Sequence, residues 1–371
     1  MRFYKKYEDK SMILKRTKTY GFPNAKFVEL LVYDFEMYRQ LLEISDEFVL
    51  KGGACTQLYL PIGKQRTSID IDILTRLNKE DVDEIFLKKL NALDFVDVKS
   101  FIPKEKNECL PLFTYLVDLP SIVGDDESTQ LKIDILFENI ENYRICSVNN
   151  KELFALYLDN PIPCITLGCL IADKLLTLAC GSVGVKQNKI DHLPKHLYDL
   201  TLLVDLFGEN DYRDLLFSFR RVAHSELEYR NLQYNLSDVI DHIDEVLLSF
   251  IHIDRGEFKN DLYKKLINDF QSTYVNKESR DNLQNWIISC LKLKKLVSSI
   301  RCDLEKDDMQ GYFNYKKVID RFEKIKNMGI QDKKSLRVEL LKKAKNNLDD
   351  WKYLKGKSEE RIFLALHQNE R

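Results

Sequence analysis

The seven residues from Ser68 to Leu74, SIDIDIL, restrict this chain more than any other stretch. Alternation with a period of two places Asp70 and Asp72 on one face of a strand and Ile69, Ile71 and Ile73 on the other. Two carboxylates then share a small space, and like charges so close repel unless a cation lies between them. Oxygen donors at this spacing suit Mg²⁺ or Mn²⁺ rather than zinc. Just upstream, an apolar strand ending at Lys51 runs into Gly52 and Gly53 and then a short helix. Glycine lets the backbone approach a ligand closely, and a helix N-terminus behind it favours phosphate. Taken singly, an Asp-x-Asp at a strand end or a glycine pair at a turn is ordinary. The ordered set, with Arg66 and Ser68 between the two elements, is far more specific.

Lys51-Gly52-Gly53 followed by Leu58, and then Arg66-x-Ser68-x-Asp70-Ile71-Asp72, resembles the leading motifs of the AbiEii/AbiGii abortive-infection toxins. These form a branch of the DNA polymerase β-like nucleotidyltransferase superfamily. The resemblance covers roughly residues 27 to 206, about half the chain. It implies an α+β fold in which a polymerase β-like mixed sheet with flanking helices is followed by a mainly helical C-terminal domain. It also implies a third carboxylate on a neighbouring strand, which the alternating run Leu131 to Phe137 supplies as Asp134, on the same face as Lys132. The later family signature, a helical lysine and then an aspartate, resembles Lys174 in Ala172-Asp173-Lys174-Leu175 and Asp199 in Lys195-His196-Leu197-Tyr198-Asp199-Leu200. On this likeness Asp70, Asp72 and Asp134 are the metal ligands, and they act in catalysis with Lys174 and Asp199. Lys51, Gly52, Gly53, Arg66, Ser68 and Lys174 form the nucleotide-binding set.

Each assignment has a plainer counterpart. Lys174 interrupts an apolar stripe of Leu167, Leu170, Ile171, Leu175 and Leu178, where a lysine ordinarily snorkels to water. Asp199 is four residues from Lys195, the spacing of a helix-surface salt bridge. Lys51 at a strand end has solvent as its ordinary destination. Two departures from the family pattern stand out. Ala54 follows Gly53 where many members of the superfamily carry serine, and Lys195 replaces a more typical arginine, which exchanges a bidentate fork for a point charge.

The implied activity is metal-dependent transfer of a nucleotide from an NTP, with Mg²⁺ or Mn²⁺ as cofactor. The leading acceptor is the 3′ end of tRNA, and the outcome is growth arrest within a toxin-antitoxin or abortive-infection phage defence system. A cognate antitoxin protein is the expected partner. Nucleotidylation of a protein side chain uses the same machinery, and a non-catalytic nucleotide-binding regulator is the third reading.

Composition fits this. The 371 residues are long for one core, given about 100 to 200 residues per domain, and two units are expected: a catalytic domain over 1–160 with a basic N-terminal segment, and a helical domain over 161–371. Net charge is −2, so basic surface is local: residues 1–26 hold eight Lys/Arg against two acidic residues. No apolar run approaches the roughly 20 residues that span a bilayer, and the N-terminus lacks a signal-peptide core, so a cytoplasmic protein without membrane association is expected. Eight cysteines without a Cys-x-x-Cys pair read as reduced thiols. Expected elements are a helix marked by Phe27 to Leu42, strands near 47–50, 68–74, 113–119 and 131–137, a helix from the N-cap Asn78 to Leu93, and helices from about Ile165 onward. Arg361 and His367 have an R-x5-H spacing that resembles HEPN-type ribonucleases, but Ile362 stands where a polar residue normally follows the arginine.

Overall fold

The computed structural model describes residues 9–90, 97–101, 111–124, 128–149, 151–256 and 258–368, the side chains of 258–260 excepted. The chain forms two compact units that are discontinuous in sequence, so the single boundary expected near residue 160 is replaced by several crossings. One unit comprises 1–174, 202–233 and 268–280, and the other 175–201, 234–267 and 281–371.

The first unit is built on a seven-stranded sheet. Its strands are β1 (Phe48–Lys51), β2 (Asp70–Thr75), β3 (Asp97–Phe101), β4 (Leu112–Pro120), β5 (Ser128–Leu136), β6 (Ile145–Val148) and, after a small ribbon of β7 (Lys151–Glu152) and β8 (Tyr157–Leu158), β9 (Ile162–Ile165). The spatial order is β3-β4-β5-β2-β1-β9-β6. The sheet is mixed: β2 runs parallel to β5 and β1 parallel to β9, while the remaining pairs are antiparallel. The four strands expected from alternation are present within a few residues of their predicted ends. β3, β6 and β9 are not legible in the sequence, because DVKSF is polar and ICSV and IPCI are too short to show a period.

The faces of the sheet differ sharply. On one, Ile71, Ile73, Tyr115, Val117, Leu119, Leu131, Ile133 and Ile135 are fully buried. Each such side chain contributes about 1.5–3 kcal/mol. On the other, Asp70, Asp72, Leu116 and Lys132 are only partly covered and Leu112 is exposed. The alternation of isoleucine with aspartate therefore sets which side is the apolar core, while the aspartate side is mixed, with Leu74, Thr114 and Asp134 buried on it.

Of the helices α1 (Lys10–Thr19), α2 (Ala25–Ile44), α3 (Gly52–Tyr59) and α4 (Lys79–Asp83), α2 organises the unit. Asn24 caps it by accepting from the Lys26 N–H at 2.9 Å. From Val28 to Met37 every residue is buried, the signature of a helix packed on all sides. Tyr38 donates its hydroxyl to the Phe48 and Pro163 carbonyls at 2.9 and 2.8 Å, tying α2 to β1 and β9. Asn78 caps α4, as expected, by accepting from the Asp81 N–H at 2.9 Å. The helix continues as a π-helical segment over Glu84–Leu90, and the remainder of the predicted span to Leu93 lies outside the described residues. So does part of the polar connection between β4 and β5, whose antiparallel register, Pro120 opposite Ser128, is that of a hairpin.

Helices follow from Leu167 onward: α5 (Leu167–Thr177), α6 (Leu193–Leu203), α7 (Glu209–Tyr229), α8 (Leu236–Ile251), α9 (Phe258–Tyr274), α10 (Leu283–Lys306), α11 (Gln310–Lys326), α12 (Ile330–Asn347), α13 (Trp351–Leu354) and α14 (Glu359–His367). In the second unit α10 packs against α8, α11 and α14. Asp303 of α10 accepts from the Gly311 and Tyr312 N–H groups at 2.6 and 2.9 Å and caps the start of α11. A Cβ on Gly311 would lie 2.4 Å from the Ser299 carbonyl oxygen, so this crossing is too close for any other residue. Arg361 is 1% exposed and donates to Asp254 at 2.6 and 3.0 Å, while the His367 ring packs on Phe363 at 4.5 Å. Both residues of the R-x5-H spacing are thus used in packing. The cysteines among the described residues are free thiols, and no described helix is long and apolar enough to cross a membrane.

Candidate active site

Four strands bring one row of polar side chains to the same face, where Lys51 and Asp72 are partly covered and Asp134 and Thr114 are buried. Lys51 is opposite Asp72, Asp72 is the register partner of Asp134, and Asp134 is opposite Thr114. Paired positions on adjacent strands share a face, so these side chains form a line across β1, β2, β5 and β4. In the next row, Asp70 pairs with Lys132. The three aspartates expected as metal ligands therefore occupy neighbouring positions on two parallel strands.

The turn after β1 is shaped around Asp72. Gly52 has φ of +68°, a left-handed value that disfavours side chains. A Cβ added there would fall 1.9 Å from Asp72 Oδ2, so only glycine lets this backbone lie against the carboxylate. Gly52 also opens α3, whose first amides present positive dipole ends. At Gly53 an added Cβ would lie 2.8 Å from Ser68 Oγ and 3.4 Å from an Arg66 guanidinium nitrogen. Arg66 and Ser68 are 4% and 2% exposed, so both brace the turn from within the fold. Arg66 donates to the Thr67 carbonyl at 2.8 Å, and its own N–H donates to Gln57 at 2.9 Å.

Asp134 accepts hydrogen bonds from Thr114 Oγ1 and from Lys132. Burial works against the charge on Lys132, but Asp134, with Asp70 and Asp72, outweighs it and raises the lysine pKa above its ordinary value. The carboxylate row is thus negative enough to draw an ammonium group onto itself. That donor set, anionic and all-oxygen, fits Mg²⁺ or Mn²⁺. Among the described residues no three acidic, histidine or cysteine side chains already converge on one point. Asp134 is engaged by Lys132, so that lysine would have to turn aside for Asp134 to help hold a cation.

Lys51 does not run out to solvent. It pairs with Asp173 of α5 at 2.7 Å and lies 5.6 Å from the centre of the Tyr143 ring. Burial lowers its proton affinity, but Asp173, Glu138 and Asp72 more than compensate and hold it well above the usual lysine range. Asp173 is a partner that sequence reading passed over, although it adjoins Lys174. Lys174 is 2% exposed and Asp199 is fully buried, so neither side chain lies on a helix surface. Lys174 belongs to the unit of the sheet and Asp199 to the helical unit.

Asp34 of α2 was also missed. It is fully buried, with neither carboxylate oxygen hydrogen-bonded among the described residues. Burial, then the charges of Asp70 and Asp72, push its pKa well above the usual carboxylate range. Its one sequence signal is a carboxylate amid Leu30, Leu31, Val32, Tyr33 and Phe35.

A mixed sheet with paired aspartates on β2, a third aspartate in register on β5 and a glycine turn at a helix N-terminus is consistent with an α+β nucleotidyltransferase domain. The family described as nucleotidyl transferase AbiEii toxin, Type IV TA system, matches residues 37–297, and the chain belongs to it. It is accordingly a toxin-type nucleotidyltransferase of a toxin-antitoxin system, and the family implies a nucleotide substrate and a cognate antitoxin. No curated protein matches the chain.

Proposed function

We propose that this protein moves a nucleotide from an NTP to the 3′ end of tRNA in the cytoplasm, arresting growth as the toxin of a phage-defence system until its antitoxin restrains it. The observation that carries the reading is the register pairing of Asp72 with Asp134 beside the Gly52 turn. Triphosphate oxygens lie against the Gly52-Gly53 backbone and the N-terminus of α3. Asp70, Asp72 and Asp134 would hold Mg²⁺, which when bound neutralises charge on the entering and leaving oxygens of the phosphoryl transfer. Asp134, held by Thr114, accepts the proton of the attacking hydroxyl. Lys174 offsets triphosphate charge. Asp199 joins the catalytic set on the strength of the family motif.

The test is transfer of label from each α-³²P NTP, with Mg²⁺, to total tRNA and to soluble protein, with Asp70→Asn in parallel. Label on tRNA that is lost in the variant is the expected result. Label confined to protein would move the acceptor to a side chain, and label on neither would leave a nucleotide-binding regulator.

A further inference from the structure

The face that carries Asp72 continues past Asp134 and Thr114, both buried, to the β3 edge, where exposed apolar side chains replace the polar row. Phe101 of β3 is opposite Thr114, which is opposite Asp134, so the ring belongs to the same row as Asp72 and Asp134. Two strand spacings of about 4.8 Å put it about 10 Å from Asp134 along the sheet. Phe101 is 46% exposed and Leu112, two residues from Thr114 on the same face, is 42% exposed. Phe113, nearly as exposed, points to the opposite face, where it meets Phe137 edge-on and Lys79 at 4.8 Å.

In-line phosphoryl transfer gives the row a direction. The leaving pyrophosphate lies on the glycine-turn side of Asp72, so the attacking hydroxyl arrives from the opposite side, past Asp134 and toward β4 and β3. Whatever carries that hydroxyl meets Phe101 and Leu112 within about one nucleotide's length. A flat exposed ring with an exposed aliphatic side chain diagonal to it on the same face is a surface on which an unpaired base stacks.

We propose that Phe101 and Leu112 form the stacking platform for the terminal nucleobase of an RNA acceptor. The inference rests on the transfer reading above and adds the side from which the acceptor enters. Stacking of one base changes affinity by about five- to 150-fold, or about 1–3 kcal/mol.

The experiment measures two quantities on the full chain. The first is binding of a short fluorescein-labelled single-stranded RNA ending in CCA, by anisotropy. The second is the KM for tRNA and for the NTP in label transfer. Phe101→Ala is expected to weaken RNA binding and raise the tRNA KM about tenfold with the NTP KM unchanged. Phe101→Trp should restore both, and Asp72→Asn should still bind the RNA. Unchanged RNA binding in Phe101→Ala, failure of the wild type to bind the RNA, or an equal loss in NTP KM overturns the platform. RNA binding that depends on Phe101 without any label transfer to RNA upholds the platform and overturns the transfer reading, so the two fail separately.

Discussion

Asp72 and Asp134, far apart in sequence, are register partners on the parallel strands β2 and β5. Because the pairing is fixed by the sheet, the two residues cannot separate along the strands without breaking the ladder. Asp72→Asn and Asp134→Asn should each reduce nucleotide transfer about a thousandfold or more, the size expected when a charged ligand of the reacting centre is removed. Circular dichroism should show both variants folded. Activity above roughly a tenth of wild type in well-folded Asp72→Asn would remove this carboxylate from the mechanism.

Gly52→Ala combines two penalties. The left-handed backbone costs about 1–2 kcal/mol for a residue with a Cβ, and the new methyl group must displace the Asp72 carboxylate. The variant should unfold at lower denaturant and lose transfer activity to the same extent as Asp72→Asn. Gly63, which an added Cβ would leave without contacts, is the control, and Gly63→Ala should be close to neutral in both assays.

The Lys51–Asp173 pair joins β1 to α5 within a largely buried setting. Removing one partner strands the other charge, at a cost of about 3–5 kcal/mol. Lys51→Met and Asp173→Leu should each destabilise by that order, while the double variant recovers at least about 1 kcal/mol of the summed loss. Nucleotide binding by the double variant, measured by calorimetry, then shows whether Lys51 also serves the triphosphate. Additive losses in the cycle would argue against a coupled pair.

In the helical unit, Asp254 accepts from Arg361 and, at 2.8 Å, from Lys357. Burial alone would raise its pKa, but the two cations prevail and hold it well below the carboxylate range. A lowered folded-state pKa means that the stabilisation is fully present above the unfolded value, about 4, and is lost as pH falls through the folded one. Arg361→Met should therefore cost about 3–5 kcal/mol at pH 7, and the gap to wild type should narrow below about pH 4. Urea unfolding at about pH 7 and about pH 3 checks this, and a gap independent of pH would assign the loss to packing alone.

Much of the site is legible in the sequence because its signals are local. Alternation in SIDIDIL sets the face of Asp70 and Asp72, and the glycine pair marks the turn where backbone conformation excludes other residues. The period of two likewise reveals β4 and β5, and helical spacing reveals α2.

What the sequence by itself determined is the chemistry of each strand: which residues face a core, which carry charge on the opposite face, and which family the ordered motifs resemble. Only the tertiary structure decided partnership. Nothing local in LKIDILF says that Asp134 aligns with Asp72 rather than Asp70, that Lys51 turns to Asp173, or that a short polar strand carries Phe101 into the row of Asp72 and Asp134. Register and ion pairing between distant segments depend on the summed packing of both faces of a sheet, and that energy belongs to the assembled fold rather than to any one stretch of chain.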